Sequence, residues 1–278
     1  MANREAGDDG VAPYDIAYVD RGGMRLLGRL YRPAGEGPFP AVVDVHGGMW
    51  TINDRLHDAA VATELARRGT VVLSIDFRMP PDAAYPASLR DIHAAIVWLK
   101  TYADELHIDI NWVGTLGFSS GGHQVLLLAV RPDHPDYSSG TQIGGFDGSV
   151  AFTIACWPIV DPVQRYGMAR EKGRADLVAA HDSYWGSVEA MADGNPQYIL
   201  DRGEPSRLPP ALILQGTADD NIDHRTMEPF AASYRKRGGK ITVHKFEGAA
   251  HAFIRDDLST PDSIRGVDLI DAFIRTSG

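Results

Sequence analysis

The chain has 278 residues, 44% hydrophobic and 23% charged, with a net charge of −10 and a single cysteine, Cys156. These values suit a globular protein of one large or two small units. They exclude an internal disulfide and a cysteine-cluster metal site, and they disfavour nucleic acid or an anionic membrane surface as partner, since both need basic patches. No apolar run approaches the ~20 residues that span a bilayer. The opening segment MANREAGDDGVAPYD is polar and acidic and does not read as a secretory signal, so the default expectation is a cytoplasmic location.

In chain order, YDIAYVD (14–20) and MRLLGRLYRP (24–33) read as an antiparallel pair joined through Gly22-Gly23. AVVDVH (41–46) is a buried strand, residues 56–68 a helix stopped by Gly69, and TVVLSIDF (70–77) the next strand. A strong helix is predicted over 87–103, with Leu89, Ile92, Ala95, Ile96 and Leu99 on one stripe. NWVGTLGF (111–118) is a strand running into the apolar helix SSGGHQVLLLAV, which ends before Pro132. VAFTIACW (150–157), ALILQGT (211–217) and KITVHKFEG (240–248) are further strands, with helices around 226–237 and 263–275. Cys156, inside AFTIACW, reads as a small buried hydrophobe. Eight strands alternating with helices predict one mostly parallel, doubly wound α/β sheet.

Residues 158–209 break the alternation. Pro158, Pro162, Pro196, Pro205 and Pro209, scattered aromatics and weak helical patches predict an insertion between strands 6 and 7. It is too small for a core of its own and reads as a lid or substrate-shaping element within a single domain, 1–278.

The pattern G-x-S-x-G fits Gly117-Phe118-Ser119-Ser120-Gly121 in one register, with Ser119 at its centre. A strand precedes it and an apolar helix follows, so Ser119 is expected on a cramped strand-to-helix turn, its hydroxyl raised above the strand ends. The competing reading is a glycine-rich turn whose serine caps the helix. A serine hydroxyl needs a base oriented by an acid, in the chain order serine, acid, histidine. His46, His57, His93 and His107 precede the serine. His123 lies one turn into the helix, His134 and His181 sit in polar contexts, His224 follows the aspartate-rich loop, and His244 is within a strand. His251, in EGAAHAF after the last strand, is the expected base. The acid is expected in GTADDNID: Asp219 first, then Asp220 or Asp223. The Ser120 N–H would receive the developing oxyanion, with a second donor from the glycine turn in VDVHGGMW (43–50).

With His46-Gly47-Gly48-Met49-Trp50, Asp76-Phe77-Arg78, Tyr85-Pro86-Ala87, Gly117 to Gly121, Asp219 in GTAD and His251 in GAAHAF, the chain resembles an α/β-hydrolase over residues 41–255. The likeness is to the esterase/lipase branch: hormone-sensitive-lipase-like enzymes and, closer, the carboxylesterases and formamidases that carry HGGxW. The resemblance implies the α/β-hydrolase fold and oxyanion donors from Gly48, Met49 and Ser120. It gives His46 a loop-shaping role and makes Asp76-Phe77-Arg78 a structural ion pair and turn. Met49 stands where hormone-sensitive-lipase relatives have a third glycine, which leaves the second donor open. The implied chemistry is acyl transfer to water: attack by Ser119, proton transfer through His251, and Asp219 holding the imidazole.

Among the large residues Met49, Trp50, Trp157, Tyr184 and Trp185, Trp50 and Trp157 are the expected substrate-binding side chains. No basic cluster lies beside the triad, so a strongly anionic substrate is disfavoured and a small to medium uncharged ester is expected, with no cofactor or metal and possible homo-oligomerisation. Rival functions are an arylformamidase or other amidase, an acyltransferase, and a non-catalytic binding protein on the same fold.

Overall fold

The computed structural model describes residues 11–138, 140, 145–204 and 207–277. The opening residues 1–10 and Pro205 lie outside them. The strands are β1 Tyr14–Arg21, β2 Met24–Tyr31, β3 Phe39–Val45, β4 Val71–Ile75, β5 Ile108–Phe118, β6 Thr153–Cys156, β7 Ala211–Gly216 and β8 Ile241–Phe246. Among them run α1 Ala59–Arg67, α2 Ala87–Thr101, α3 Ala103–Leu106, α4 Ser120–Val130, α5 Pro162–Glu171, α6 Ala175–Trp185, α7 Val188–Asp193, α8 Pro196–Arg202, α9 Met227–Lys236, α10 Phe253–Asp256 and α11 Pro261–Thr276.

All eight strands form one sheet in the order β1-β2-β4-β3-β5-β6-β7-β8. β2 is antiparallel to β1 and β4, and the remaining pairs are parallel. This is the predicted α/β-hydrolase architecture. The central strands are buried on both faces, so they read as continuous apolar runs. Val43, Leu73 and Ile213 join the core under α2 and α4, while Val42, Val72 and Leu214 join the core under α1 and α11. Cys156 is buried in the latter, as expected. Because neighbouring parallel strands point the same way, the loops after β3, β5, β7 and β8 open at one edge.

Several elements differ from the sequence reading: β5 begins earlier, at Ile108, and β6 later, at Thr153. The 87–103 helix breaks at Tyr102 into α2 and α3, and His107 closes α3 at φ 58°. Strand β6 stops at Cys156 because Trp157 turns to φ 40°. Among the described residues of 158–209 there are four helices, between Pro162 and Arg202, rather than a loop with helical patches. Their starts carry side-chain caps: Asp161 accepts from Gln164 N–H, Ser187 from Ala190 N–H and Asn195 from Tyr198 N–H, with Pro162 and Pro196 at the first helical positions.

The Asp76-Phe77-Arg78 element is built from two ion pairs rather than one. Asp76 accepts from the Arg55 guanidinium at 2.8 Å and from Arg55 N–H at 2.9 Å. Arg78 grips Asp91 of α2 through Nε and Nη2, each at 2.8 Å, and Asp91 also takes Arg21 Nε at 2.9 Å. Asp91 is fully buried and anchors α2 to strand β1 and to the turn after β4. Asp91→Ala strands two guanidinium groups and is expected to lower stability by about 3 kcal/mol. Urea unfolding checks it, and an unchanged midpoint would show that α2 is held by apolar packing alone.

Candidate active site

Ser119 sits between β5 and α4 at φ 52°, ψ −114°, a conformation that places a side chain under strain. The neighbouring glycines explain how the chain reaches it. A Cβ on Gly117 would lie 2.5 Å from Gly121 O, and one on Gly121 would lie 2.0 Å from Val45 O. Strand β5, helix α4 and the end of β3 therefore meet backbone to backbone. Ser119 N–H donates to Cys156 O at 2.9 Å, fixing the turn to the end of β6.

The loop after β7 carries all three candidate acids, and the structure brings only Asp219 to the imidazole. Asp219 Oδ2 accepts from His251 Nδ1 at 2.8 Å and from Gln215 Nε2 at 3.0 Å; Oδ1 accepts from Asn221 N–H and Ile222 N–H at 2.9 Å each. Burial pushes its pKa up, but the His251 bond and charge and the two backbone donors outweigh burial and hold it below the ordinary value. Asp220 is exposed, and Asp223 caps the short turn His224–Thr226 while pairing with Arg225. An ionised carboxylate only accepts, so His251 Nδ1 carries the hydrogen and Nε2 presents its lone pair.

The acid and histidine loops are stitched together. Ala218 N–H donates to Ala249 O, Thr217 N–H to Phe246 O, and Gly248 N–H to Thr217 Oγ1. Gly216 runs so close to Ala249 that a Cβ would sit 2.3 Å from its carbonyl oxygen. The His251 ring meets the Trp157 ring edge-on at 5.9 Å, and Trp157 directly follows the Cys156 carbonyl that binds Ser119. Histidine and serine thus share the end of β6. Ser119 Oγ and His251 Nε2 are not hydrogen-bonded to each other in this conformation.

The loop after β3 passes over the serine turn. Gly48, Met49 and Trp50 have φ of 119°, 55° and 63°, three successive residues in the left-handed region. A Cβ on Gly47 would lie 3.1 Å from Ser119 Cβ, and one on Gly48 2.3 Å from Ile52 O. Trp50 N–H donates to Ser120 Oγ at 3.1 Å, and Asn53 Nδ2 holds Gly47 O at 3.1 Å. The second serine of the pair is therefore a tie for this loop. Among the described residues the N–H groups of Gly48 and Met49 make no hydrogen bond, and Ser120 N–H, first in α4, has no intrahelical acceptor. His46 donates Nδ1–H to Gly47 O at 2.7 Å and stacks on Phe77, and burial lowers its pKa to about 4, which suits loop shaping.

Trp50 and Trp157 do not line an open mouth. Each is about 1% exposed. Trp50 stacks on Tyr184 at 5.2 Å and 7°, with His181 and Trp185 edge-on, so its ring is spent on joining the loop to the 158–209 insertion. Trp157 packs on Phe118, Phe253 and the His251 ring. Both large rings fill interior space where sequence reasoning placed a substrate wall.

The sequence reading missed Gln215, Asn53 and the position of Arg165. It left His123 with no more than a packing role. Trp50 Nε1 donates to His123 Nδ1 at 3.2 Å, which leaves His123 Nε2 to donate to Gly194 O at 2.8 Å. Burial lowers the His123 pKa to about 4, so the ring stays neutral and links the insertion to the loop over the serine. A polar pair, His123-Gln124, in a largely apolar helix is the signal there. Asn53 and Gln215 carry no comparable mark.

Residues 29–233 match the BD-FAE family model, and the chain belongs to the BD-FAE family. It is 27% identical to esterase LipC of Mycobacterium tuberculosis (strain ATCC 25618 / H37Rv) over 78% of this chain and 53% of that one. It is 28% identical to carboxylic ester hydrolase LipN of the same organism over 81% and 60% respectively. The chain thus spans between half and three-fifths of these relatives' length. Apo esterase 2 of Thermogutta terrifontis superposes with a TM-score of 0.78 at 24% identity, covering 96% of this chain and 95% of that one, and shares its fold. No helix among the described residues is long and apolar enough to cross a membrane.

Trp50→Phe keeps a ring to stack on Tyr184 and removes the donor to His123 Nδ1. The buried unpaired nitrogen is expected to lower stability by about 1–3 kcal/mol. Chemical denaturation measures it; a variant as stable as the parent would show that the bond carries no weight.

Proposed function

We propose that this protein is a serine carboxylic ester hydrolase with Ser119 as nucleophile, His251 as general base and Asp219 as the acid that orients it. The Asp219–His251 hydrogen bond at 2.8 Å, in loops that end beside a strained serine, carries the reading. The relatives named as esterases and carboxylic ester hydrolases support the reaction class. The Thermogutta esterase, known in a form phosphorylated by paraoxon, lends support from the same fold.

In this mechanism Ser119 Oγ attacks the ester carbonyl carbon while His251 Nε2 takes its proton, closing a contact that tightens when substrate is present. The imidazolium is stabilised by Asp219, whose geometry is fixed by its three other donors. The oxyanion sits against Ser120 N–H and against Gly48 and Met49 N–H, which have no competing acceptor. Removing one such donor typically slows turnover about 10²–10³-fold. The imidazolium then gives its proton to the leaving alcohol, and water repeats the sequence on the acyl-enzyme. The insertion acts as a lid whose helices close over Trp50, and the substrates are small to medium carboxylic esters.

A fluorophosphonate probe should label Ser119, and Ser119→Ala should abolish labelling. With 4-nitrophenyl esters, Ser119→Ala, His251→Ala and Asp219→Asn are each expected to lower kcat by about 10⁴-fold. Asp220→Asn and Asp223→Asn should stay within a few-fold of the parent. Should either of these lose more than Asp219→Asn, the acid is misassigned. Parallel assays on N-formyl aryl amides read out the amidase alternative, which gains if they turn over faster than the esters.

A further inference from the structure

Arg165, in α5, is 2% exposed and has no carboxylate within ion-pairing distance among the described residues. Its Nη2 donates to Asn221 Oδ1 at 2.5 Å, and its Cζ lies 5.8 Å from the centroid of the Trp50 ring. Nε and Nη1 are buried and have no partner. The guanidinium therefore stands between the loop that holds Asp219 and the loop that covers Ser119. Asn221, its single neutral acceptor, is the residue whose N–H binds Asp219 Oδ1.

Asp219 favours the Arg165 charge through space but gives it no direct contact, because four donors already occupy both carboxylate oxygens. His181 is the other polar ring against Trp50, at 5.0 Å. Its Nδ1–H is committed to Leu177 O and its Nε2 is buried without a partner. Burial and then the Arg165 charge lower its pKa to about 4, so it is neutral and offers no negative charge. Burial brings Arg165 itself down to about 10, with Asp219 pulling the other way, which still leaves it charged at neutral pH. A guanidinium taken out of water with no anion in contact with it is unfavourable. Such a group, set beside a reactive centre, is pre-organised for an anion that arrives with the substrate.

We propose that Arg165 binds a carboxylate carried by the ester substrate away from the scissile bond. The inference rests on the ester hydrolase reading and narrows it: uncharged esters are turned over, and esters bearing a second, free carboxylate are preferred. The charge reaches the site from the insertion, 46 residues after Ser119 in the chain, so no basic cluster marks it in the sequence. Arg165 Nε and Nη1 are sealed in this conformation, and a carboxylate enters as α5 lifts from Trp50. Helix α5 packs chiefly on α6 and α7 of the same insertion, which lets these helices move together.

The test compares mono-4-nitrophenyl glutarate, which carries a free carboxylate, with 4-nitrophenyl pentanoate, its uncharged counterpart of equal acyl length. The wild-type protein should show the higher kcat/KM for the glutarate ester. Arg165→Met should lower the glutarate-to-pentanoate ratio by at least about 30-fold, with Arg165→Lys in between. A wild-type preference for pentanoate, or an equal loss on both esters, overturns the proposal. Free glutarate should raise the Tm of the wild type and not of Arg165→Met; no shift in the wild type also overturns it. Should Arg165→Met fail to fold, the wild-type ratio and the wild-type glutarate shift decide. Fluorophosphonate labelling separates the two readings. Labelling of Ser119 without carboxylate preference refutes the Arg165 assignment alone. No labelling refutes the hydrolase reading, while a glutarate shift lost in Arg165→Met still supports the carboxylate site.

Discussion

The site depends on one close approach: the backbones of β3, β5 and α4 touch where Gly117, Gly121 and Val45 meet. With no Cβ on either glycine, the chain can turn from strand to helix at Ser119 without the helix standing off the sheet. The same contact draws the loop after β3 against the serine, so free N–H groups and a hydroxyl lie within one small volume. Trp50 N–H bound to Ser120 Oγ then locks loop to helix. Sheet packing, the Ser119 turn and the free N–H groups beside it are consequences of a single steric allowance.

The opposite wall is built by hydrogen bonding. Loops after β7 and β8 are tied by three backbone-led bonds, and Asp219 is held by four donors. Rigid walls on two sides contrast with the third, where the insertion rests on Trp50 through rings and through His123. The arrangement suits a centre whose reacting groups are fixed while its cover can shift.

Much of this was legible in the chain. Buried parallel strands announce themselves as short apolar runs, and Ser119, Asp219 and His251 stand where strand ends must gather. Asp219 was singled out from its neighbours by its place nearest the strand end, and it alone meets the imidazole. The helices of the insertion were not legible, because side-chain caps at Asp161, Ser187 and Asn195 and packing on neighbours define them, with little hydrophobic periodicity. The Asp-Pro and Asn-Pro pairs were the available signal. Trp50 and Trp157 were misplaced because a sequence locates a ring along the chain and not the side it faces. The partners of the Asp76-Phe77-Arg78 element were not legible for a like reason, since Asp91 comes from the next helix and Arg55 from the loop before α1. The position of Arg165 was not legible because the groups around it, Asn221 and Trp50, come from remote segments.

The two interior imidazoles close to the serine, His46 and His123, are weak bases, each with a nitrogen given away to a carbonyl. Neither suits the proton-carrying role proposed for His251. Around Ser119, then, these two imidazoles serve as neutral structural links, and in the proposed mechanism the proton passes through His251 rather than through either of them.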